Sequence, residues 1–266
     1  MTAHRVPRPL VAAGVAGLAA AALVAAQQLA ESSAAGAPGD AATVVRAAGD
    51  IGPAVRRYRG LLGPDNGGAP NGDPAGRREI NWDGVPDSLA SPNRYPSAFF
   101  NGKVAPRARG AVLRTPGSLR VSADSDNPKG AAPRFGDINP SYTSEFRTFS
   151  AERLFSPVGS NVVNLTFRVP GTGTRAVVRG FGAVYTGIDL RENTAFKFFD
   201  AKGKSLGTFA VPIGKRKLSF LGVVFDEPVV ARVRIEYGNR ALGPDEGRGV
   251  DVAVMDNFIY GEPVAP

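Results

Sequence analysis

The side chains that could do chemistry in this sequence are oxygen-bearing. Glu79, Asn81 and Asp83 stand at period-two spacing in the run Glu79 to Asp83. If that run is a strand, the three share one face, because strand side chains alternate, and Ile80 and Trp82 take the other. Far along the chain, Asp256 interrupts an apolar stripe of Val252, Val254, Phe258 and Tyr260, with Asn257 beside it. A carboxylate in such a stripe must be paired, hydrogen-bonded or bound to a metal. Two kinds of chemistry suit this set. Carboxylate and amide oxygens ligate calcium, a hard cation. Carboxylates in pairs also serve as acid and base in glycoside hydrolysis.

Other chemistries are excluded by composition. The 266 residues include no cysteine and one histidine, His4. His4 falls in a segment with the three-part pattern of a secretory signal peptide. Arg5 and Arg8 form its positive start, Leu10 to Ala26 is free of charge, and small residues precede Gln27. Cleavage near Ala26 would leave a chain without imidazole or thiol. A Ser-His-Asp triad, a cysteine nucleophile and a His- or Cys-based transition-metal site would then be unavailable. The sequence Gly203 to Gly207 matches the nucleophile-elbow pattern, but it joins two apparent strands and has no histidine to serve it, so a hairpin turn is the better reading. Asp124, Asp126 and Asn127 begin like a calcium loop, but Pro128 and the missing closing glutamate exclude an EF-hand.

The formal charge of +8 falls to +6 without residues 1–26, which hold two arginines and no acid. The basic residues are scattered. The densest group, Lys215 to Lys217, reads as a solvated turn. No basic stripe with interleaved aromatics is present, so a nucleic-acid partner is not expected. Attraction to a polysaccharide or acidic cell surface is compatible with the charge. No apolar tail closes the chain, so no membrane association is expected after signal cleavage. Secreted or periplasmic localisation follows.

The elements that must position these residues are mostly strands. Residues 27–49 are rich in Ala, Gly and Ser and read as a disordered linker. Residues 50–76 read as a short helix and a loop. Ile51, Val55, Tyr58 and Leu62 fall on one helical face, Asp50 can cap, and Gly63 with Pro64 stops it. From 77 to 262 the pattern is β. Val163 to Val169 and Val230 to Tyr237 alternate polar and apolar, whereas Leu218 to Phe225 and Val250 to Tyr260 are apolar on both faces. Gly180 and Gly182 suggest a bulge or bend in the strand around them. Several short strands divided by turns predict an all-β, antiparallel, jelly-roll-like sandwich preceded by a signal peptide and one short helix. The irregular stretch 123–160 is long for a loop without a role or structure of its own.

Trp82, Tyr95, Phe99 and Phe100 cluster in sequence. Trp82 with Asn81 and Asp83 makes a candidate ligand-binding group, although core packing is the ordinary fate of such aromatics.

The runs Gly180 to Tyr185, Phe198 to Gly203, Leu218 to Val223 and Met255 to Gly261 resemble a group of uncharacterised exported bacterial proteins with jelly-roll, carbohydrate-binding-like sandwiches. The resemblance spans about 77–261 and implies fold and export more than activity. It also implies a structural calcium between first and last strands, with Glu79 and Asp256 as the positions to inspect; Asn257, beside Asp256, joins them as a metal candidate. The sequence therefore points to a secreted, non-catalytic module binding a glycan or cell-surface ligand, with calcium as its one expected cofactor. A carboxylate-based glycan hydrolase or lyase and a purely structural extracellular protein are the alternatives.

Overall fold

The computed structural model describes residues 1–2, 42–244 and 247–266. The expected signal peptide and most of the expected linker lie outside the described residues. The described residues form thirteen strands: β1 (Ala42–Ala48), β2 (Arg77–Ile80), β3 (Ala111–Arg114), β4 (Ser118–Val121), β5 (Phe155–Val158), β6 (Val162–Arg168), β7 (Arg175–Ala176), β8 (Gly180–Thr186), β9 (Ala195–Phe199), β10 (Ser205–Ala210), β11 (Ser219–Phe225), β12 (Arg232–Glu236) and β13 (Val254–Gly261). Two α-helices join them, α1 (Gly52–Leu62) and α2 (Tyr142–Glu145).

All strand pairings are antiparallel and fall into two sheets. One has seven strands in the order β1-β11-β8-β13-β5-β4, with β2 also on β13. The other has six, in the order β10-β9-β12-β6-β3, with β7 on β6. Their inner faces share one core, in which Phe181, Leu221 and Phe258 of the first sheet meet Phe196, Val233 and Leu165 of the second. The all-β expectation holds.

The two sheets differ in how their outer faces are covered. Helix α1 lies on β1, β11 and β13 of the seven-stranded sheet. Its buried residues Ala54, Val55, Tyr58 and Leu62 pack with Val45, Val184, Phe220 and Ile259. A second cluster, with Phe135, Tyr142 and Phe146 against Val252 and Val254, extends this cover. Strands β8, β11 and β13 are accordingly buried along their whole length. The six-stranded sheet keeps the alternation of a half-wet sheet: every second residue of β6 and β12 is partly exposed.

Two expectations are corrected, and the long irregular stretch gains structure of its own. Residues 42–48, read as linker, form β1, which pairs along its whole length with β11 from Ala42–Phe225 to Ala48–Ser219. Small residues hid an edge strand whose alternate positions Val44 and Val45 serve two different clusters. Gly180 and Gly182 do not bend β8, whose register with β11 runs unbroken. Instead Gly182 stands opposite Gly222, and a Cβ on Gly222 would lie 2.4 Å from the Tyr58 ring. The absent side chains let the helix come down onto the sheet, and the Tyr58 hydroxyl donates to the Val223 carbonyl at 3.1 Å. The irregular stretch 123–160 contains α2 and β5 and supplies the outer cluster.

Candidate functional site

The strand reading of Glu79 to Asp83 holds only as far as Ile80. There β2 ends and a 3-10 turn, Trp82–Gly84, begins. Asn81 caps the turn, its Oδ1 accepting the Asp83 N–H at 2.9 Å. The three polar residues therefore do not share a strand face. Glu79 stays on β2 and accepts from Arg59 at 2.6 and 2.9 Å and from Arg77 at 2.7 Å. Its carboxylate is neutralised by two guanidinium groups, so Glu79 is removed from the expected metal set.

Trp82 is also relocated. Its side chain is fully buried, stacked on Phe155 at 4.3 Å and edge-on to Phe258 at 5.0 Å, with Tyr95 and Phe100 at 5.8 Å each. The aromatics that cluster in sequence do cluster in space, but as core. A ligand cannot reach the face of this indole, so Trp82 leaves the ligand-binding group.

Asp256 and Asn257 owe their position to a β-bulge. Met255 pairs with Tyr185 and Phe258 with Ala183, so three steps along β13 match two along β8. The extra residue changes the phase of the strand. Val254 packs with the outer cluster, while Met255, Phe258 and Tyr260 all pack inward. Val254 and Phe258 thus do not share a face, as strict alternation required. A bulge re-aims side chains in this way. On its other edge β13 changes partner at the same place, from β5 at Met255 to β2 at Phe258. The 3-10 turn and the segment Phe149 to Arg153 fill that gap.

Four of the six expected site residues meet there, around Ser150. Its Oγ lies 2.8 Å from Asp83 Oδ2, 2.9 Å from Asn257 Oδ1, 3.0 Å from Asp256 Oδ1 and 3.4 Å from Asn81 Oδ1. The outward oxygens of both carboxylates are satisfied by backbone. Asp83 Oδ1 accepts the Glu152 and Arg153 N–H groups at 2.9 Å each, and Asp256 Oδ2 accepts those of Phe149 at 2.6 Å and Ser150 at 3.3 Å. The inward oxygens converge on a hydroxyl that carries a single proton. Neither Asp83 nor Asp256 has an ion-pair partner among the described residues. Nearby Arg153 is committed to Asp124 and Asp87.

Burial pushes the Asp256 carboxyl up to about 6, against the lowering effect of its bonds to Phe149 and Ser150, and the Asp83 charge pushes it the same way. The cluster is thus rich in lone pairs, poor in protons and without a cationic side chain. Five hard oxygen donors of carboxylate, amide and hydroxyl type suit calcium. Among the described residues no three His, Cys, Asp or Glu side chains gather; the cluster reaches five donors only through its amides and hydroxyl.

Ser150 and the backbone of 149–153 were not singled out in the sequence. The only signal was the unusual length of the stretch that contains them. The elbow-like Gly203 to Gly207 is a turn entering β10, paired with β9, as the hairpin reading required.

No protein-family model matches the chain, and no curated protein matches it. Among solved structures, the chain is similar to the enzymatically active domain of tailspike protein 4 of bacteriophage CBA120, at 15% identity and a TM-score of 0.29. The similarity covers 72% of this chain and 22% of that one, so the chain spans about a fifth of the length of the phage protein.

Proposed function

We propose that this chain is an exported, non-catalytic binding module with a jelly-roll sandwich, that it binds a glycan, and that a calcium ion held by Asn81, Asp83, Ser150, Asp256 and Asn257 fastens its sheet. One observation carries the calcium reading: two carboxylates converge on one hydroxyl with no cationic partner. Bound calcium would supply the missing positive charge and tie the 3-10 turn, the 149–153 segment and the β13 bulge to one another. The residues themselves hold those elements by the backbone N–H bonds to Asp83 and Asp256 described above.

The same geometry disfavours a hydrolase. Asp83 and Asp256 are close enough to act as a pair, but the Ser150 hydroxyl occupies the space between them, and the Asp256 side chain is fully buried. Acid–base work on a glycosidic bond needs room for the sugar between the carboxylates. The glycan reading rests on the open outer face of the six-stranded sheet, whose Asn164, Thr166, Arg232 and Arg234 are partly exposed. Hydroxyl-rich ligands suit such a polar face.

Thermal melting of the full chain with calcium and with EDTA tests the metal. An ion bound only by the folded state stabilises it by about 2.7 kcal/mol at a hundredfold excess over Kd. A higher melting temperature in calcium, lost in Asp83→Asn, is the expected result. Identical curves in calcium and EDTA would remove the metal. A glycan array tests the module; silence across all glycans would leave a structural role.

A further inference from the structure

The outer face of the six-stranded sheet is not merely polar. A groove of about 490 Å³ on it is lined by Arg114, Arg168, Arg175 and Arg232, with Asp200 as the one acidic side chain among its described lining residues. That carboxylate is occupied by its own turn, accepting the Lys202 and Lys204 N–H groups at 2.8 Å each. None of the four arginines forms an ion pair among the described residues.

Register extends the positive field. Arg114 stands opposite Asn164, Asn164 opposite Arg234, and Arg234 opposite Lys197, one row across β3, β6, β12 and β9. With neighbouring strands about 4.8 Å apart, this row spans roughly 14 Å. Glu236 is the acid nearby, and Lys197 and Arg234 share it at 2.9 and 3.2 Å. Arg232 is held in place: its guanidinium lies 3.6 Å over the Phe199 ring and donates to Asn164 Oδ1 at 3.2 Å.

We propose that this arginine-lined face binds an acidic polysaccharide, a polymer bearing a carboxylate on successive sugars. The inference rests on the module reading above and names its ligand class. Guanidinium groups match carboxylates in bidentate fashion. Four of them, on β3, β6, β7 and β12, call for an anion repeated along a chain, where a single small anion would leave most of them unused. Asn164 and Thr166 between the arginines offer amide and hydroxyl groups to sugar hydroxyls. Nucleic acid fits less well. Single strands are held on free aromatic platforms, and Phe199, the aromatic that stands opposite Arg232 on this sheet, is already covered by that guanidinium. Duplex readout inserts an element into a groove, which a flat sheet face does not offer.

The test is affinity electrophoresis of the full chain in gels containing polygalacturonate, its methyl ester or dextran. The wild type is expected to be retarded by polygalacturonate and not by the ester. Arg114→Glu with Arg175→Glu, two exposed positions without partners, is expected to weaken retardation by about tenfold or more. Lys215→Glu with Lys217→Glu makes the same change in net charge in a distant exposed turn and is expected to leave it intact. Equal weakening in both variants would reduce the effect to net charge and overturn the proposal. So would equal retardation by the ester, or full competition by a single-stranded oligonucleotide, which would make nucleic acid the partner. Retardation by neutral glycans alone would overturn the acidic ligand and keep the module; no retardation by any glycan would overturn both.

Discussion

The indole N–H of Trp82 donates to the backbone carbonyl of Asp256 at 2.8 Å. The ring that fills the core therefore holds the bulge whose side chains face the oxygen cluster. Trp82 is the single tryptophan, so tryptophan fluorescence reports on this one place in the core. Emission is expected to be blue-shifted and resistant to acrylamide in the native protein, to change on calcium addition, and to be indifferent to oligosaccharides. Quenching by a sugar ligand would restore Trp82 to the binding surface.

Asp256 sets a pH dependence. Its carboxyl is raised to about 6 in the fold, chiefly by burial, from about 3.8–3.9 when exposed. Between those values the native state holds a proton that the unfolded chain has lost. The contribution of this group to stability is therefore greatest at low pH and falls as pH rises through about 4 to 6. In EDTA, melting temperatures of wild type measured relative to Asp256→Asn should decline across that window. A flat difference would show that the buried carboxyl titrates normally.

The fully buried Arg78 and nearly buried Glu262 form a two-pronged pair at 2.5 and 2.7 Å that ties β2 to the segment after β13. Removing one partner strands the other charge in the interior. Glu262→Gln is expected to cost about 3–5 kcal/mol, read as a lower urea midpoint. Arg78 also donates to the carbonyls of Gly67 and Ala69, so the loop before β2 should become protease-sensitive in the same variant. A loss under about 1 kcal/mol would show that these carbonyls suffice for the charge.

Gly222→Ala tests the seat of the helix. Its Cβ would meet the Tyr58 ring at 2.4 and 2.5 Å, and overpacking of this kind costs about 1–3 kcal/mol. Pairing it with Tyr58→Ala should make the two losses less than additive, because they share one contact. Strict additivity in denaturant titrations would mean that the ring does not rest on Gly222.

The sheets were legible where side chains alternate or run continuously apolar, as in β6, β12 and β11, because burial on one or both faces writes itself into the residue order. The helix was legible from Ile51, Val55, Tyr58 and Leu62. Four residues of the cluster could be singled out, Asn81 and Asp83 by their period-two spacing, and Asp256 with Asn257 beside it because an acid in an apolar stripe demands a partner. Their assembly could not. It depends on a bulge that shifts β13 by one residue and on a serine brought in from a distant loop, and neither leaves a periodic signal. Glu79 misled because its arginine partners include Arg59, twenty residues away on the helix.

The position of β13 has a kinetic consequence. It is the thirteenth of the described strands, yet it lies inside its sheet, bonded to β8, β2 and β5. Until it emerges, β2 and β5 lack their pairing with β13, and β8 is open along that edge. Pairings of such long sequence separation form slowly, because loop closure must precede them. A nascent chain is thus kept from closing its sandwich until β13 has been made, however early the other twelve described strands appear.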